Sequence, residues 1–248
     1  MNNLITNYNF IPFAHRGGTD FAPENTFEAF EAAVDIGYKF LETDVHPNAD
    51  DQLMAFHDPT LDRVTDFSGN IQNLTTKELN NIKVKDKYRI PFLEELLENF
   101  PDCFFSVDMK CDESVEPLIN LVKDMKAIDR VCFASFNQKR LNFVRDYFGN
   151  KCITSMGPNE ILLTKVSSFI NLKQKINSNI ASLPTSRYKI KFLNERNIHY
   201  LRSLKIKVIA WTINNEKEIR DLIDMGVNGI MTDKISLLKS ILIQKKVW

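Results

Sequence analysis

Acidic side chains recur at intervals of two residues in two short segments of the chain. Glu42, Asp44 and His46 share this spacing, so an extended strand would place them on one face. Asp108 and Lys110 repeat it further along. Neighbouring buried carboxylates repel each other unless a cation lies between them, and Mg²⁺ and Ca²⁺ prefer oxygen ligands. We therefore predict Glu42, Asp44 and Asp108 as ligands of a divalent metal ion, with salt bridges to Lys or Arg as the alternative.

Two histidines have neighbours that suit proton transfer. His15 and Arg16 follow a strand-like run and precede two glycines, which would let the backbone approach a ligand, although a surface turn has the same composition. His57 is followed by Asp58, which could fix the tautomer of the ring. Imidazole titrates near neutral pH, so a pair of histidines can take one proton and give another. We predict His15 and His57 as this pair.

The segments that carry these residues alternate with stretches of helical periodicity. This alternation predicts repeated βα units and a parallel sheet. Eight strands are predicted, at residues 10–14, 40–45, 103–109, 131–136, 151–155, 179–183, 207–213 and 229–232. Eight such units close most simply as an α/β fold of the (β/α)₈ TIM barrel type, in which functional groups lie at the carboxyl ends of the strands.

Other side chains at the predicted strand ends would shape a binding pocket. Trp211 and Asn214 lie at the end of the seventh strand, where an indole could form a wall and an amide could orient polar groups, with ordinary packing as the alternative for Trp211. Arg16 and Lys110 would neutralise a phosphate. A lysine that only bridges to a neighbouring carboxylate is the alternative for Lys110.

Two of the predicted helices contain residues that bear on the site or on the remaining histidine. The first is predicted to begin with Asn25 as its N-cap and Glu28 at the third helical position, which is the pattern of a capping box. A second helical pattern covers residues 190–203 and includes His199, which we assign to packing or to solvent.

Residues 47–90 interrupt the regular βα pattern. This segment contains turn-forming residues and one short helix-like stretch, and it carries His57. A connection of this length inside a compact domain is usually functional or disordered, and the histidine favours function. We predict one domain over residues 1–248 with an inserted subdomain at about 47–90.

Composition limits the partners and the location of the protein. The chain has 32 Lys and Arg and 32 Asp and Glu, so no overall charge attracts nucleic acid or an anionic membrane. The N-terminus lacks a secretory signal, and no apolar run approaches the roughly 20 residues that span a bilayer. We expect a cytoplasmic monomer or homodimer without stable membrane insertion, whose four cysteines are reduced.

Taken together and in this order, the motifs resemble those of the glycerophosphodiester phosphodiesterase family along nearly the whole chain. The motifs are AHRGG near the start, APENT at 22–26, ETDVH at 42–46, FHD at 56–58, IPFLEELL at 90–97, VDMK at 107–110, WTIN at 211–214 and GVNGIMTD at 226–233. The resemblance implies metal-dependent hydrolysis of small-molecule glycerophosphodiesters, such as deacylated phospholipids, to glycerol 3-phosphate and an alcohol. It also implies a small inserted subdomain that covers the barrel mouth.

The resemblance also implies roles for particular residues. Glu42 and Asp44 correspond to metal ligands for Mg²⁺ or Ca²⁺, and His15 and His57 correspond to the general acid and base. The implied substrate contacts are Arg16, Lys110, Trp211, Glu24 and Asn25. The family usually has glutamate where this chain has Asp108, a shorter side chain. Either the ion shifts toward Asp108 or a water molecule bridges the gap.

Two other functions fit the same motifs. One is a relative that acts on lysophospholipids or phosphatidylinositol, in the manner of a lysophospholipase D or phospholipase C, and an exposed apolar rim would favour it. The other is a catalytically silent protein that binds glycerophosphodiesters. The retention of both histidines with the acidic pair argues against a silent binder, because binding alone needs no proton-transfer pair.

Overall fold

A sheet of parallel strands forms the centre of the computed structural model, which describes residue 5 and residues 8–170, 172, 174–187 and 190–248. In chain order, the strands in this part of the chain are β1 (Ile11–Ala14), β2 (Phe40–Pro47), β3 (Leu53–Ala55), β4 (Phe104–Met109), β5 (Val131–Ala134), β6 (Ile153–Thr154), β7 (Ile180–Pro184), β8 (Ser186–Arg187), β9 (Ile190–Lys191), β10 (Lys207–Trp211) and β11 (Gly229–Thr232).

Eight of these strands are parallel and form a nearly closed barrel, which confirms the predicted fold. Their order is β6-β5-β4-β2-β1-β11-β10-β7. A single parallel bridge between Ser155 and Ile180 links the β6 end of the sheet to β7. The other three strands are outside the barrel, because β3 pairs antiparallel with β2, and β8 pairs with β9.

Helices connect the barrel strands and cover the outside of the sheet. In the described residues they are α1 (Phe27–Asp35), α2 (Thr76–Leu79), α3 (Leu93–Asn99), α4 (Val115–Asp124), α5 (Gln138–Phe148), α6 (Pro158–Ile170), α7 (Glu195–Ser203), α8 (Glu216–Met225) and α9 (Ile235–Gln244). None of these helices combines the length and the apolar character that crossing a bilayer requires.

The starts of two helices differ from the sequence predictions. Thr26, not Asn25, is the N-cap of α1, because its hydroxyl accepts a hydrogen bond from the Ala29 amide at 3.3 Å. The side chain of Asn25 instead lies in the polar site described below. The pattern over 190–203 predicts one helix, but α7 begins only at Glu195, because Asn194 caps it there.

The register of the parallel strands brings chemically important residues together. Asp44 of β2 lies opposite Asp108 of β4. Ala14 of β1 lies opposite Thr232 of β11, so the next residues, His15 and Asp233, are also neighbours across the sheet. All four residues are at the carboxyl ends of their strands, which is the functional end of a (β/α)₈ barrel.

Large apolar side chains fill the barrel interior below this end. The rings of Phe13, Phe40 and Phe104 contact one another, with centroids 5.5 Å apart for Phe13 and Phe40 and 5.9 Å apart for Phe40 and Phe104. All three are fully buried. This packed layer closes the interior, so a ligand can enter only at the carboxyl end of the strands.

The segment between β2 and β4 packs its own apolar cluster beside the barrel. The members of this cluster are Met54, Phe56, Leu61, Val64, Ile71, Leu79, Ile82, Val84 and Ile90. Thr75 and Glu78 form a capping box at α2, so its short helix has a defined start. These contacts hold the loop that carries His57 against the barrel.

The cysteines are unpaired, as predicted. Cys103, Cys132 and Cys152 are buried and Cys111 is partly buried. Burial raises the pKa of each of these thiols, so they remain protonated and act as small apolar side chains. His199 is exposed on α7, in agreement with its assignment to solvent or packing.

Candidate active site

A cavity of about 360 Å³ opens at the carboxyl ends of the barrel strands. The predicted site residues that line it are His15, Arg16, Glu42, Asp44, His57, Asp108, Lys110 and Trp211. A wider groove of about 790 Å³ lies on the outside of the barrel, beside α4 and α5. Of the two, only the cavity at the strand ends is lined by imidazoles together with carboxylates, so we identify it as the candidate site.

His15 is held by a carboxylate from the last barrel strand. Its Nδ1 lies 2.6 Å from Asp233 Oδ1, and Asn214 Nδ2 donates to Asp233 Oδ2 at 2.7 Å. Burial lowers the pKa of His15, but the carboxylates of Glu42 and Asp233 outweigh that effect and raise it above 6.5. A proton on Nδ1 leaves Nε2 for chemistry in the cavity.

His57 is held in the same way by its neighbour in sequence. Its Nδ1 lies 2.6 Å from Asp58 Oδ1. Arg63 donates through Nε to Asp58 Oδ2 at 2.5 Å and through its terminal nitrogens to Glu24. The inserted segment and the loop before α1 are thus joined by Arg63, which fixes the position of His57 over the mouth. Arg63 has no motif of its own, and sequence reasoning missed it.

Glu42 and Asp44 are buried side by side but have opposite electrostatic environments. Burial and the nearby Asp44 raise the pKa of Glu42 to about 7. Burial also disfavours the charged form of Asp44, but Lys110 at 2.7 Å and Arg16 at 3.0 Å outweigh it and lower the pKa of that carboxyl. Asp44 is therefore ionised at neutral pH, whereas Glu42 titrates there.

Lys110 lies between two of the three predicted metal ligands. Its Nζ is 2.7 Å from Asp44 Oδ1 and 2.6 Å from Asp108 Oδ2. The salt-bridge alternative for Lys110 is thus the arrangement found. Burial raises the pKa of Asp108, and its Oδ1 has no hydrogen-bond partner. Within the described residues, no group of three or more His, Cys, Asp or Glu side chains has a geometry that would hold a metal ion.

The predicted substrate contacts fall into two groups. Trp211 lines the cavity and packs edge-on against Phe136, with ring centroids 5.7 Å apart. Glu24 and Asn25 are not part of the cavity lining. Glu24 accepts a hydrogen bond from Arg16 at 2.8 Å, and Asn25 Nδ2 donates to Asp44 Oδ2 at 3.3 Å. These two residues therefore position the lining residues from behind.

The two glycines after Arg16 are required for close packing of two helices. A Cβ on Gly17 would lie 2.9 Å from the Ala29 Cβ of α1, and one on Gly18 would lie 2.7 Å from Ile235 of α9. Both glycines also have positive φ angles, of 84° and 83°. They let the two helices pack tightly against the turn that carries His15, and approach of this backbone to a ligand stays a prediction.

His46 has a structural role that the alternation of β2 did not reveal. Its Nε2 lies 3.1 Å from the His57 carbonyl oxygen, so it supports the loop that presents the other imidazole. It is buried, and burial lowers its pKa. Asp233 is the more important residue that sequence reasoning left without a role, although the motif that ends in TD contains it.

The side of the cavity away from the carboxylates is apolar. The large apolar side chains that form it are Phe136, Met156, Pro158, Ile161, Leu162, Phe192 and Trp211. The cavity therefore has one charged wall, which suits a phosphate, and one apolar wall, which suits a hydrocarbon group.

Comparison with known proteins agrees with this geometry. The barrel resembles a crystal structure of an Oleispira antarctica phosphodiesterase in complex with the product sn-glycerol-3-phosphate. The TM-score is 0.80 with 21% identity over 96% of this chain and 99% of that one. At this identity, the similarity shows a shared fold.

Similarity in sequence extends over nearly the full length. The chain is 27% identical to a probable glycerophosphodiester phosphodiesterase of Mycobacterium tuberculosis, over 96% of this chain and 92% of the relative. It is also 27% identical to a lysophospholipase D of Mus musculus, over 92% and 85% of the two chains. The model of the glycerophosphoryl diester phosphodiesterase family matches residues 15–237. This chain therefore belongs to the glycerophosphoryl diester phosphodiesterase family of enzymes.

Proposed function

We propose that this protein hydrolyses glycerophosphodiesters to glycerol 3-phosphate and an alcohol, with a divalent metal ion and with His15 and His57 as the acid–base pair. The observation that carries the proposal is the matched pair of imidazoles, each bound through Nδ1 to a carboxylate at 2.6 Å and both lining one cavity. A pair oriented in this way suits proton transfer at two positions of one substrate.

The residues of the site fit a divalent cation in part. Asp108 Oδ1 is buried without a partner, and the raised pKa of Glu42 reports a carboxylate whose charge lacks a full counter-ion. Glu42, Asp44 and Asp108 would hold Mg²⁺ or Ca²⁺. Lys110 forms ion pairs with Asp44 and Asp108, so it competes with the metal ion for these two carboxylates. The bound ion would supply positive charge to the phosphoryl oxygens.

The chain's own residues account for binding and proton transfer. Lys110 and Arg16 line the cavity, and their cationic groups would contact a phosphate there. One histidine takes a proton from the nucleophile, and the other donates a proton to the leaving alkoxide. The nucleophile is either water or the glycerol 2-hydroxyl, and in the second case water then opens the cyclic phosphate. Trp211 and Phe136 pack beside the substrate and exclude water from one side of it.

We also propose that the inserted segment at about 47–90 acts as a subdomain that covers the mouth within a single domain of residues 1–248. His57 belongs to it, and its apolar cluster gives it a rigid base. The subdomain would orient the second imidazole only when packed against the barrel.

The test is hydrolysis of glycerophosphocholine by the purified protein, with Mg²⁺, with Ca²⁺ and with a chelator. We expect activity that the chelator abolishes and that one of the two ions restores. His15→Ala and His57→Ala should each lower kcat by about 10² or more, because each removes one proton transfer. His199→Ala, an exposed histidine on α7, is the matched control. Normal turnover in both site variants would refute the acid–base assignment.

A lysophospholipase D reaction is the second candidate, because the apolar wall of the cavity is larger than a glycerol group and could also contact an acyl chain. One relative with that name aligns over most of this chain. Parallel assays with glycerophosphocholine and lysophosphatidylcholine separate the two candidates. A higher kcat/KM for the lysophospholipid would favour the second. Binding of both substrates without turnover would favour a silent binder.

A further inference from the structure

Helix α6 has the opposite polarity to the other long helices of the barrel. Its buried side chains are Thr164, Ser167 and Ser168. Its exposed large apolar side chains, with their exposed fractions, are Leu162 (63%), Leu163 (42%), Val166 (54%), Phe169 (62%) and Ile170 (66%). In α9, by contrast, four apolar side chains are buried in the core, namely Ile235, Leu238, Ile241 and Leu242.

The exposed side chains of α6 form one continuous surface. At about 100° per residue, the five positions fall within a single arc of roughly 120°, and the buried hydroxyl residues lie opposite. Leu172, which is also exposed, extends the surface beyond the end of the helix. We call the six residues Leu162, Leu163, Val166, Phe169, Ile170 and Leu172 the α6 face. A contiguous apolar face of this kind marks an interaction surface.

Local hydrogen bonds satisfy the polar side of α6. The Thr164 hydroxyl donates to the Ile161 carbonyl at 3.0 Å, and the Ser168 hydroxyl donates to the Lys165 carbonyl at 2.7 Å. The inward hydroxyls therefore need no partner from the barrel, and the helix can keep its apolar side outward.

Two basic side chains lie at the margin of the α6 face, beside Phe169. Lys165 Nζ lies 5.8 Å from the ring centroid of Phe169, and the Arg196 guanidinium carbon lies 5.1 Å from the same centroid. The acidic residue of the helix, Glu160, is paired with Arg145 at 3.0 Å, so its charge is balanced. An apolar surface with basic side chains at its margin is complementary to a layer of anionic lipid headgroups over acyl chains.

The α6 face is continuous with the catalytic cavity. Leu162 lines the cavity and is also 63% exposed on the outside, and Pro158 and Ile161 of the same helix line the cavity too. A second copy of this chain on the face would stand at the cavity mouth and hinder entry. A lipid surface would instead supply substrate at that mouth, and this favours lipid as the occupant.

We propose that the α6 face docks the protein on an anionic lipid surface, with the cavity mouth at the edge of the contact. The docking is a property of the outer surface and needs no catalysis. The argument that lipid supplies substrate at the mouth, and its consequence, faster turnover of substrates that carry an acyl chain, rest on the proposed function in its lysophospholipase D form.

The test is co-sedimentation with vesicles of phosphatidylglycerol and phosphatidylcholine in equal parts, and with vesicles of phosphatidylcholine alone. The unaltered protein should bind the anionic vesicles more strongly. The double variant V166S/F169S should bind them roughly tenfold or more weakly, because two apolar side chains no longer enter the lipid. Neither residue lines the cavity, so hydrolysis of water-soluble glycerophosphocholine should be unchanged.

The matched control is F143S/I243S, which removes an exposed phenylalanine and an exposed isoleucine from α5 and α9. This control should bind vesicles like the unaltered protein. Equal loss in both double variants, or no binding of the unaltered protein to either vesicle, would overturn the proposal. A dimer in light scattering that V166S/F169S dissociates, without vesicle binding, would also overturn it in favour of a second copy. Vesicle binding without any hydrolysis would refute the proposed function and leave the docking intact.

Discussion

At the residue scale, the site depends on how each ionisable group is partnered. Asp44 lies within 3.0 Å of the cationic groups of Arg16 and Lys110 and stays ionised. In the part of the chain that the structure describes, Glu42 has no side-chain cation at such a distance, and its pKa rises to about 7. His15 lies 3.8 Å from Glu42, and its other ring nitrogen is bound to Asp233. The protonation of one histidine thus depends on two carboxylates from different strands.

Removal of the charge of Asp233 should lower the pKa of His15. Asp233 raises that pKa in the folded protein, whereas burial lowers it. In Asp233→Asn the effect of burial is opposed by Glu42 alone, so the pKa falls. An NMR titration of the His15 ring signals in the presence of a chelator would measure the change. Asp58→Asn is the control, because Asp58 contacts His57 and Arg63 but not His15. An unchanged or higher His15 pKa in Asp233→Asn would contradict the assignment.

The same pair links stability to pH. The pKa of His15 is higher in the folded protein than its ordinary value of 6.5, so the folded state favours the protonated ring. The contribution of the His15 ring to the free energy of unfolding is therefore complete below about pH 6.5. It is lost as the pH rises through the pKa that His15 has in the folded protein. Urea unfolding across this range should show that loss in the unaltered protein and a smaller loss in Asp233→Asn.

At the element scale, strand register and helix starts position the chemistry. The pairing of β2 with β4 places Asp44 opposite Asp108, where Lys110 reaches both. The start of α1 is fixed by Thr26, which leaves the preceding Asn25 free to turn its amide toward the site. Asn25 has a φ of 56°, a conformation that asparagine adopts more readily than most residues.

Thr26→Ala should destabilise the fold by about 1–2 kcal/mol, because it removes the N-cap of α1. The Thr26 hydroxyl also donates to the Pro23 carbonyl at 2.7 Å and is buried, so the loss should lie toward the upper value. Chemical denaturation measures it. Glu28→Ala is the control, since Glu28 is exposed and was the predicted capping-box partner. A larger cost for Glu28→Ala would mean that the helix begins as the sequence suggested.

At the scale of the whole molecule, the packed interior leaves the barrel open to ligands only at the carboxyl ends of its strands. Phe13, Phe40 and Phe104 close the space below the site. Two further apolar clusters lie between the outer face of the sheet and the surrounding helices. The inserted segment adds His57 from above. The cavity is therefore bounded by the interior layer, by the strand ends and by the insertion, each from a different part of the chain.

Phe104→Ala should cost about 3–5 kcal/mol of stability, because it leaves a void among fully buried rings. Thermal or denaturant unfolding would measure this loss. Phe143→Ala is the matched control, because Phe143 is 48% exposed and should change stability by under about 0.5 kcal/mol. Similar stability of the two variants would mean that the interior layer is not tightly packed.

Most of the barrel could be predicted because its signals are local. Alternation of apolar runs with helical periods indicated all eight barrel strands, since burial of a parallel strand requires an apolar segment of the chain. Helix boundaries were less certain. Thr26 and Asn25 are both good capping residues, and only the contacts of α1 with the barrel decide between them.

The sequence by itself determined which ionisable and aromatic side chains stand at the ends of the barrel strands: one histidine, three carboxylates, a lysine and a tryptophan. It did so because side-chain alternation and strand ends are properties of short segments. Only the tertiary structure decided that Asp233 holds His15 across 218 positions of the chain, that Lys110 joins Asp44 to Asp108, and that α6 turns its apolar side outward. Distances between remote segments depend on strand register and packing, and these form only when the barrel closes.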